Sequence, residues 1–128
     1  MTLREAIRAH IQNELEFSGS IFLVPIPLNK DEGILVRDAG QWATDPTKLR
    51  QYPRIQLFMR FRSSETCNDW GDTLYRAFNI GRPLQLTNDF RVGRCRCAGP
   101  PLPLGPDPTG LYRRTLDLEI SMRYGAQI

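Results

Sequence analysis

Hydrophobic and polar residues alternate strictly over YRRTLDLEISMRY, residues 112–124. Tyr112, Leu116, Leu118, Ile120, Met122 and Tyr124 fall on one face; Arg113, Thr115, Asp117, Glu119, Ser121 and Arg123 fall on the other. A period of two marks a strand with one covered and one wet face. PRIQLFMRFR repeats the pattern, with Ile55, Leu57, Met59 and Phe61 set against Gln56, Phe58, Arg60 and Arg62. DFRVGRCRC is a third strand, whose alternation slips at Gly93 as a β-bulge makes it do. SIFLVPIPL is a fourth, and NKDEG turns it into a short partner, ILVRDAG. Pro25 and Pro27 stand two apart, so their missing N–H groups share one side and predict an edge strand.

Two segments carry the helical period instead. TLREAIRAHIQNEL places Leu3, Ala6, Ile7, Ile11 and Leu15 in one stripe, with Thr2 and Glu5 at capping-box spacing and Gly19 as the stop. SSETCNDWGDTLYRAF places Cys67, Trp70, Leu74, Ala77 and Phe78 together. Ser63 or Ser64 caps it, and Gly81 and Pro83 end it. Residues 40–53 read as a loop, with Asp45-Pro46 opening one helical turn. Residues 98–110 read as a Pro/Gly-rich loop that cannot pair as a sheet, in which Asp107-Pro108-Thr109-Gly110 fits a type I turn. The element order predicts one α+β domain over residues 1–128: an antiparallel four- to five-stranded sheet with two helices packed on one face.

Composition narrows the function classes. With 128 residues, 41% hydrophobic and 24% charged, the chain is a folded single domain. Its net charge of +3 is too mild for a dedicated nucleic-acid binder. The apolar run over residues 21–28 is too short to span a bilayer, so no membrane partner is expected. The N-terminus lacks the build of a signal peptide, and three cysteines without export features fit reduced thiols in a cytoplasmic setting.

The candidate chemistry is thin. His10, the one histidine, has no partner at metal-ligand spacing and reads as a partly exposed helix residue. Cys95 and Cys97 point to one face of their strand and read as structural thiols. Asp69 and Asp72 read as a solvated helix face. No nucleophile elbow or phosphate loop is present, so neither an enzyme nor a cofactor is expected. Arg91, Arg94 and Arg96, with Arg113 and Arg114 across the loop, are expected to form a basic spot at the loop's base or to pair with a neighbouring subunit.

Three stretches together resemble the tail terminator (tail-completion, minor capsid) proteins of long-tailed bacteriophages. They are YPRIQLFMRFRSSETCNDWGDTLYRAF, LPLGPDPTGLYRRTLDLEIS, and the opening amphipathic helix followed by a proline-bearing strand. The resemblance implies a virion protein of the tail and neck, assembled in the host cytoplasm as a hexameric ring. Such a ring caps the head-proximal end of the tail tube, ends tube growth and meets a head-completion or connector protein. Genomic DNA passes transiently through its lumen. On that basis Leu102, Leu104, Asp107, Arg60, Arg62, Arg94, Arg96, Arg113 and Arg114 are the expected subunit or partner contacts. Two alternatives stay open: a head–tail connector or stopper of the same virion, and a small nucleic-acid-binding regulator.

Overall fold

The computed structural model describes residues 1–24 and 32–123. In chain order the elements are α1 (Leu3–Asn13), β1 (Ile21–Phe22), β2 (Gly33–Gln41), β3 (Arg50–Gln51), β4 (Pro53–Phe61), α2 (Ser64–Phe78), β5 (Arg82–Thr87), β6 (Phe90–Cys97), β7 (Leu102–Pro106) and β8 (Tyr112–Arg123). The strands form one sheet in the order β1-β2-β4-β8-β6-β5, with β3 and β7 also paired to β8.

The alternating strand of residues 112–123 is the centre of this sheet. One edge of β8 pairs with β4 from Phe61↔Tyr112 to Arg54↔Glu119, and β3 continues at Arg50↔Arg123. Its other edge is shared by β7 over Tyr112–Thr115 and β6 over Leu118–Ser121. A strand whose backbone is paired on both sides contributes hydrogen bonds to two ladders at once, which is why its pattern is so regular.

The helices cover one face. α1 rests on β2 and β5, and α2 on β4, β6 and β8. Leu3, Ile7, Ile11, Leu74 and Phe78 are buried there against Ile55, Leu57, Met59, Leu116, Leu118 and Ile120. The capping box forms as the spacing predicts. Glu5 N–H donates to Thr2 Oγ1 at 3.3 Å, and Thr2 N–H donates to Glu5 Oε1 at 2.9 Å. Ser63 caps α2 by accepting from Thr66 N–H at 3.2 Å.

Several expectations need correction. The sheet is mixed and larger than an antiparallel four- to five-stranded one, because β1 runs parallel to β2 and short strands add to its edges. Ile21 and Phe22 therefore do not form a hairpin with ILVRDAG; the rest of SIFLVPIPL, with the proposed edge prolines Pro25 and Pro27, lies outside the described residues. α1 stops at Asn13 and not at Gly19, and Leu15 lies beyond it. RPLQLT, from which the sequence took only Pro83 as a helix stop, is β5, and the bulge at Gly93 is where its register with β6 shifts. Asp45-Pro46 opens a single hydrogen-bonded turn, Lys48 N–H to Asp45 C=O at 3.0 Å, and no helix. The loop of residues 98–110 contains β7, so it does pair. An edge strand has one unladdered side, where the missing N–H of a proline costs nothing.

His10 is buried, not partly exposed. Its Nδ1 lies 3.1 Å from Leu86 C=O, and its ring sits 5.6 Å from that of Phe78. It stands one turn after Ala6, on the stripe itself, and a backbone carbonyl satisfies the polar atom that burial would otherwise penalise.

Candidate assembly surfaces

β7, the turn after it and the start of β8 form a hairpin within the sheet, its β8 strand also paired to β4. The turn is held by one carboxylate. Asp107 Oδ1 accepts from Thr109 N–H at 2.9 Å, Thr109 O–H at 2.6 Å and Leu111 N–H at 2.9 Å. Gly110 N–H closes the turn onto Asp107 C=O at 2.9 Å, with Gly110 at φ 86. A type I turn followed by a left-handed glycine is a standard hairpin closure, and glycine takes that conformation without Cβ strain. Asp107 Oδ2 also lies 3.9 Å from Arg60 Nη1, with Arg60 only 5% exposed.

The Thr109 hydroxyl bond, together with the two amides and Arg60, holds the Asp107 carboxyl below its ordinary value of 3.8. A group depressed on folding lends stability at pH above its unfolded value, and that stability is lost as pH falls through the lower folded value. Thermal midpoints should therefore drop with acid below about pH 4, and Asp107→Asn should flatten that drop. An unchanged acid profile in the variant would separate this carboxylate from the fold's stability.

The hairpin surface carries Leu102, Leu104 and Tyr112 exposed. Arg113 lies over its own hairpin, donating to Gly105 C=O at 3.4 Å and Leu104 C=O at 3.5 Å. Arg114 turns the other way because it shares the parity of Leu116 and Leu118. Its guanidinium donates to Asn68 C=O at 2.9 Å and Pro101 C=O at 3.4 Å, and lies 3.6 Å from Asp72. Gly71 makes room for it: a Cβ there would stand 2.5 Å from Arg114 Nη1.

The five-arginine spot does not form. β7 is inserted between β6 and the start of β8, so Arg94 faces Ser121 and Arg96 faces Glu119. Arg113 is six residues back along β8 from Glu119, about 20 Å at ~3.3 Å per residue. Arg96 instead binds Glu119 at 2.9 Å and lies 5.0 Å above the Trp42 ring, whose Nε1–H donates to Ile120 C=O at 2.8 Å. Arg54 reaches the same Glu119 at 3.3 Å. Arg62, Arg91 and Arg94 are exposed.

At the far end of β8 the sequence repeats itself. Asp45-Pro46-Thr47-Lys48-Leu49 matches Asp107-Pro108-Thr109-Gly110-Leu111 in order, with lysine in place of the glycine. The geometry repeats too. Asp45 Oδ1 accepts from Thr47 N–H at 2.9 Å and Thr47 O–H at 2.6 Å, while Oδ2 accepts from Leu49 N–H at 3.1 Å and Arg50 N–H at 3.0 Å. Lys48, at φ 58, occupies the left-handed position that glycine fills in the hairpin. A turn at Asp45-Pro46 was expected, but its likeness to the hairpin turn was not, and the repeated pentapeptide was the signal.

Among the described residues no group of three His, Cys, Asp or Glu side chains is placed to hold a metal ion. No helix among them is long and apolar enough to cross a membrane. Cys95 and Cys97 do share the covered side of β6, where burial pushes both thiols up to about 12. The molecule thus presents rigid turns, an exposed apolar hairpin and arginines on its surface, a set suited to assembly.

A family model described as bacteriophage tail terminator protein matches residues 10–124. The chain belongs to that family. No curated protein matches it at a significant level. Membership in the tail terminator family makes this a structural protein of the phage tail, a component of the virion. The matched stretch takes in all eight strands and both Asp-Pro-Thr turns.

Proposed function

We propose that this terminator closes into a ring on the head-proximal end of the tail tube, ends tube growth and joins the tail to the head. The β7–β8 hairpin carries the reading. It holds Leu102 and Leu104 in water on a backbone fixed by Asp107, and exposed apolar side chains on a rigid element favour docking because little ordering entropy is lost. In the assembled particle the hairpin meets the tube or the connector protein of the head. Arg62, Arg91 and Arg94 serve subunit contacts or a mildly positive lumen through which the genome passes. Interspersed charge gives weak, salt-sensitive phosphate contact that DNA can leave again. Ring formation takes place in the host cytoplasm, before the tail meets the head.

Electron microscopy of purified particles carrying a tagged copy tests the placement, and density at the tail–head junction is expected. Leu102→Ser with Leu104→Ser should leave the fold unchanged, since exposed positions shift stability by less than about 0.5 kcal/mol. The same variant should yield free tails and heads. Normal virions from it would remove the hairpin from the joining contact, and density at the tail tip would overturn the reading.

A further inference from the structure

The two Asp-Pro-Thr-x-Leu turns treat their leucines oppositely. Leu111 is 4% exposed, tucked beneath its hairpin, whereas Leu49 is 69% exposed. Nothing about the Asp45 turn is loose: four hydrogen bonds converge on its carboxylate, and the left-handed Lys48 is held against its own preference. A non-glycine residue seldom takes that conformation, and such strain persists where the surroundings fix it for use. Arg50, though exposed, is tied back along the sheet, donating to Ser121 Oγ at 3.2 Å beside Gly93. Lys48 and Leu49 are therefore what the turn displays.

At the opposite end of the sheet lies an open cleft of about 580 Å³. Phe17, Phe61 and Trp70 lie at its base, with Phe17 edge-on to Trp70 at 4.8 Å, while Ser18, Ser20 and Thr66 add hydroxyls to its walls. Its rim is acidic, from Glu16 and Glu32, and Glu16 projects from a backbone at φ 56. The aromatic base and acidic rim complement an apolar knob flanked by one lysine. A chain cannot serve itself: Arg50 pairs with Arg123 and Phe61 with Tyr112, positions eleven residues apart on β8, about 36 Å at ~3.3 Å per residue.

We infer that Lys48 and Leu49 of one copy plug into the Glu16–Phe17–Glu32–Trp70 cleft of the next, forming the head-to-tail contact that closes the ring. The inference deepens the ring proposal and rests on it. Two different patches meeting in this way form a heterologous interface, which generates rings when the rotation closes. Leu49 is the buried anchor of the contact, while Lys48 facing the two glutamates fixes its orientation.

A heterologous contact has a signature that no symmetric one shares. Leu49→Asp breaks only the knob, and Glu16→Lys with Glu32→Gln, which keeps the side-chain oxygen that accepts from Arg62 N–H at 2.6 Å, breaks only the cleft. Every altered residue is exposed, so unchanged circular dichroism and melting confirm folding. Each variant alone should associate about 100-fold more weakly than wild type and sediment as a monomer. Mixed in equal amounts they retain one intact knob and one intact cleft, so native mass spectrometry should find a 1:1 heterodimer and nothing larger. Oxidising a mixture of Leu49→Cys and Ser18→Cys chains, in a Cys97→Ser background because Cys97 is half-buried while Cys67 and Cys95 are buried, should link the two.

A wild-type ring that survives Leu49→Asp overturns this contact and leaves the ring standing, as does a mixture that stays monomeric. Intact Leu49→Asp rings that fail to join heads would assign the knob to another virion protein and also overturn it. A wild-type chain that never self-associates overturns the contact and the ring together.

Discussion

Phe78→Ala is expected to lower the free energy of unfolding by about 3–5 kcal/mol. Phe78 is fully buried at the end of α2 and meets the His10 ring of α1, so it fills the space between the two helices above the sheet. Truncation removes the transferred apolar area and leaves a cavity that two cap-anchored helices cannot easily collapse. His10 would lose its aromatic neighbour while its Nδ1 stays beside Leu86 C=O. Urea unfolding measures the effect, with Arg76→Ala on the exposed side of the same helix as control, expected within about 0.5 kcal/mol. A loss at Phe78 below about 1 kcal/mol would mean that the helices do not share this core.

The second large effect concerns the hairpin. Read as a loop, residues 98–110 could be cut to a four-residue turn and leave a folded monomer. The observed pairing predicts the opposite. Removing β7 uncovers β8 from Tyr112 to Thr115, strips Asp107 from beside the buried Arg60, and leaves Leu111 without its turn. A bare edge on the central strand is a template for pairing with other chains. The shortened chain should therefore lose its cooperative melting transition and be recovered as aggregate. A soluble variant with a sharp transition would show that β7 is an appendage of the sheet. The double serine variant at Leu102 and Leu104 removes only apolar contact, so the two experiments separate folding from joining.

What the sequence disclosed follows from which forces act through side chains. α1 and α2 were legible because their stripes and caps are side-chain features: Thr2, Glu5 and Ser63 do what their spacing says. β4 and β8 were legible because one face of each is buried. β3, β5 and β7 are short edge pieces held by backbone hydrogen bonds, which write almost nothing into the order of residues. The prolines of β5 and β7 even argue against strands, although an edge tolerates them. Parallel pairing of β1 with β2 is equally silent.

The candidate surfaces were legible in the same uneven way. The Asp107 turn followed from turn chemistry, since Asp, Pro and Gly each stand where the backbone needs them. The arginine cluster did not, because it assumed that neighbours in sequence stay neighbours in space. Arg114 sat among apolar residues in the alternation and was heading for α2 all along. Leu49 looked like one more loop leucine until its buried counterpart at Leu111 gave a comparison.

The position of β8 in the chain has a consequence for synthesis. Every other strand emerges from the ribosome before it, yet β3, β4, β6 and β7 all require it as a neighbour, across separations such as Arg54 to Glu119. Contacts so distant in sequence form late and slowly. A nascent chain lacking β8 holds two helices and two separate ribbons, β1-β2-β4 and β5-β6, with neither the hairpin nor the Arg50↔Arg123 pairing in place. An unfinished copy is thus unable to present either end of the molecule. Both ends of the molecule therefore take shape together, and only once the central strand is in place.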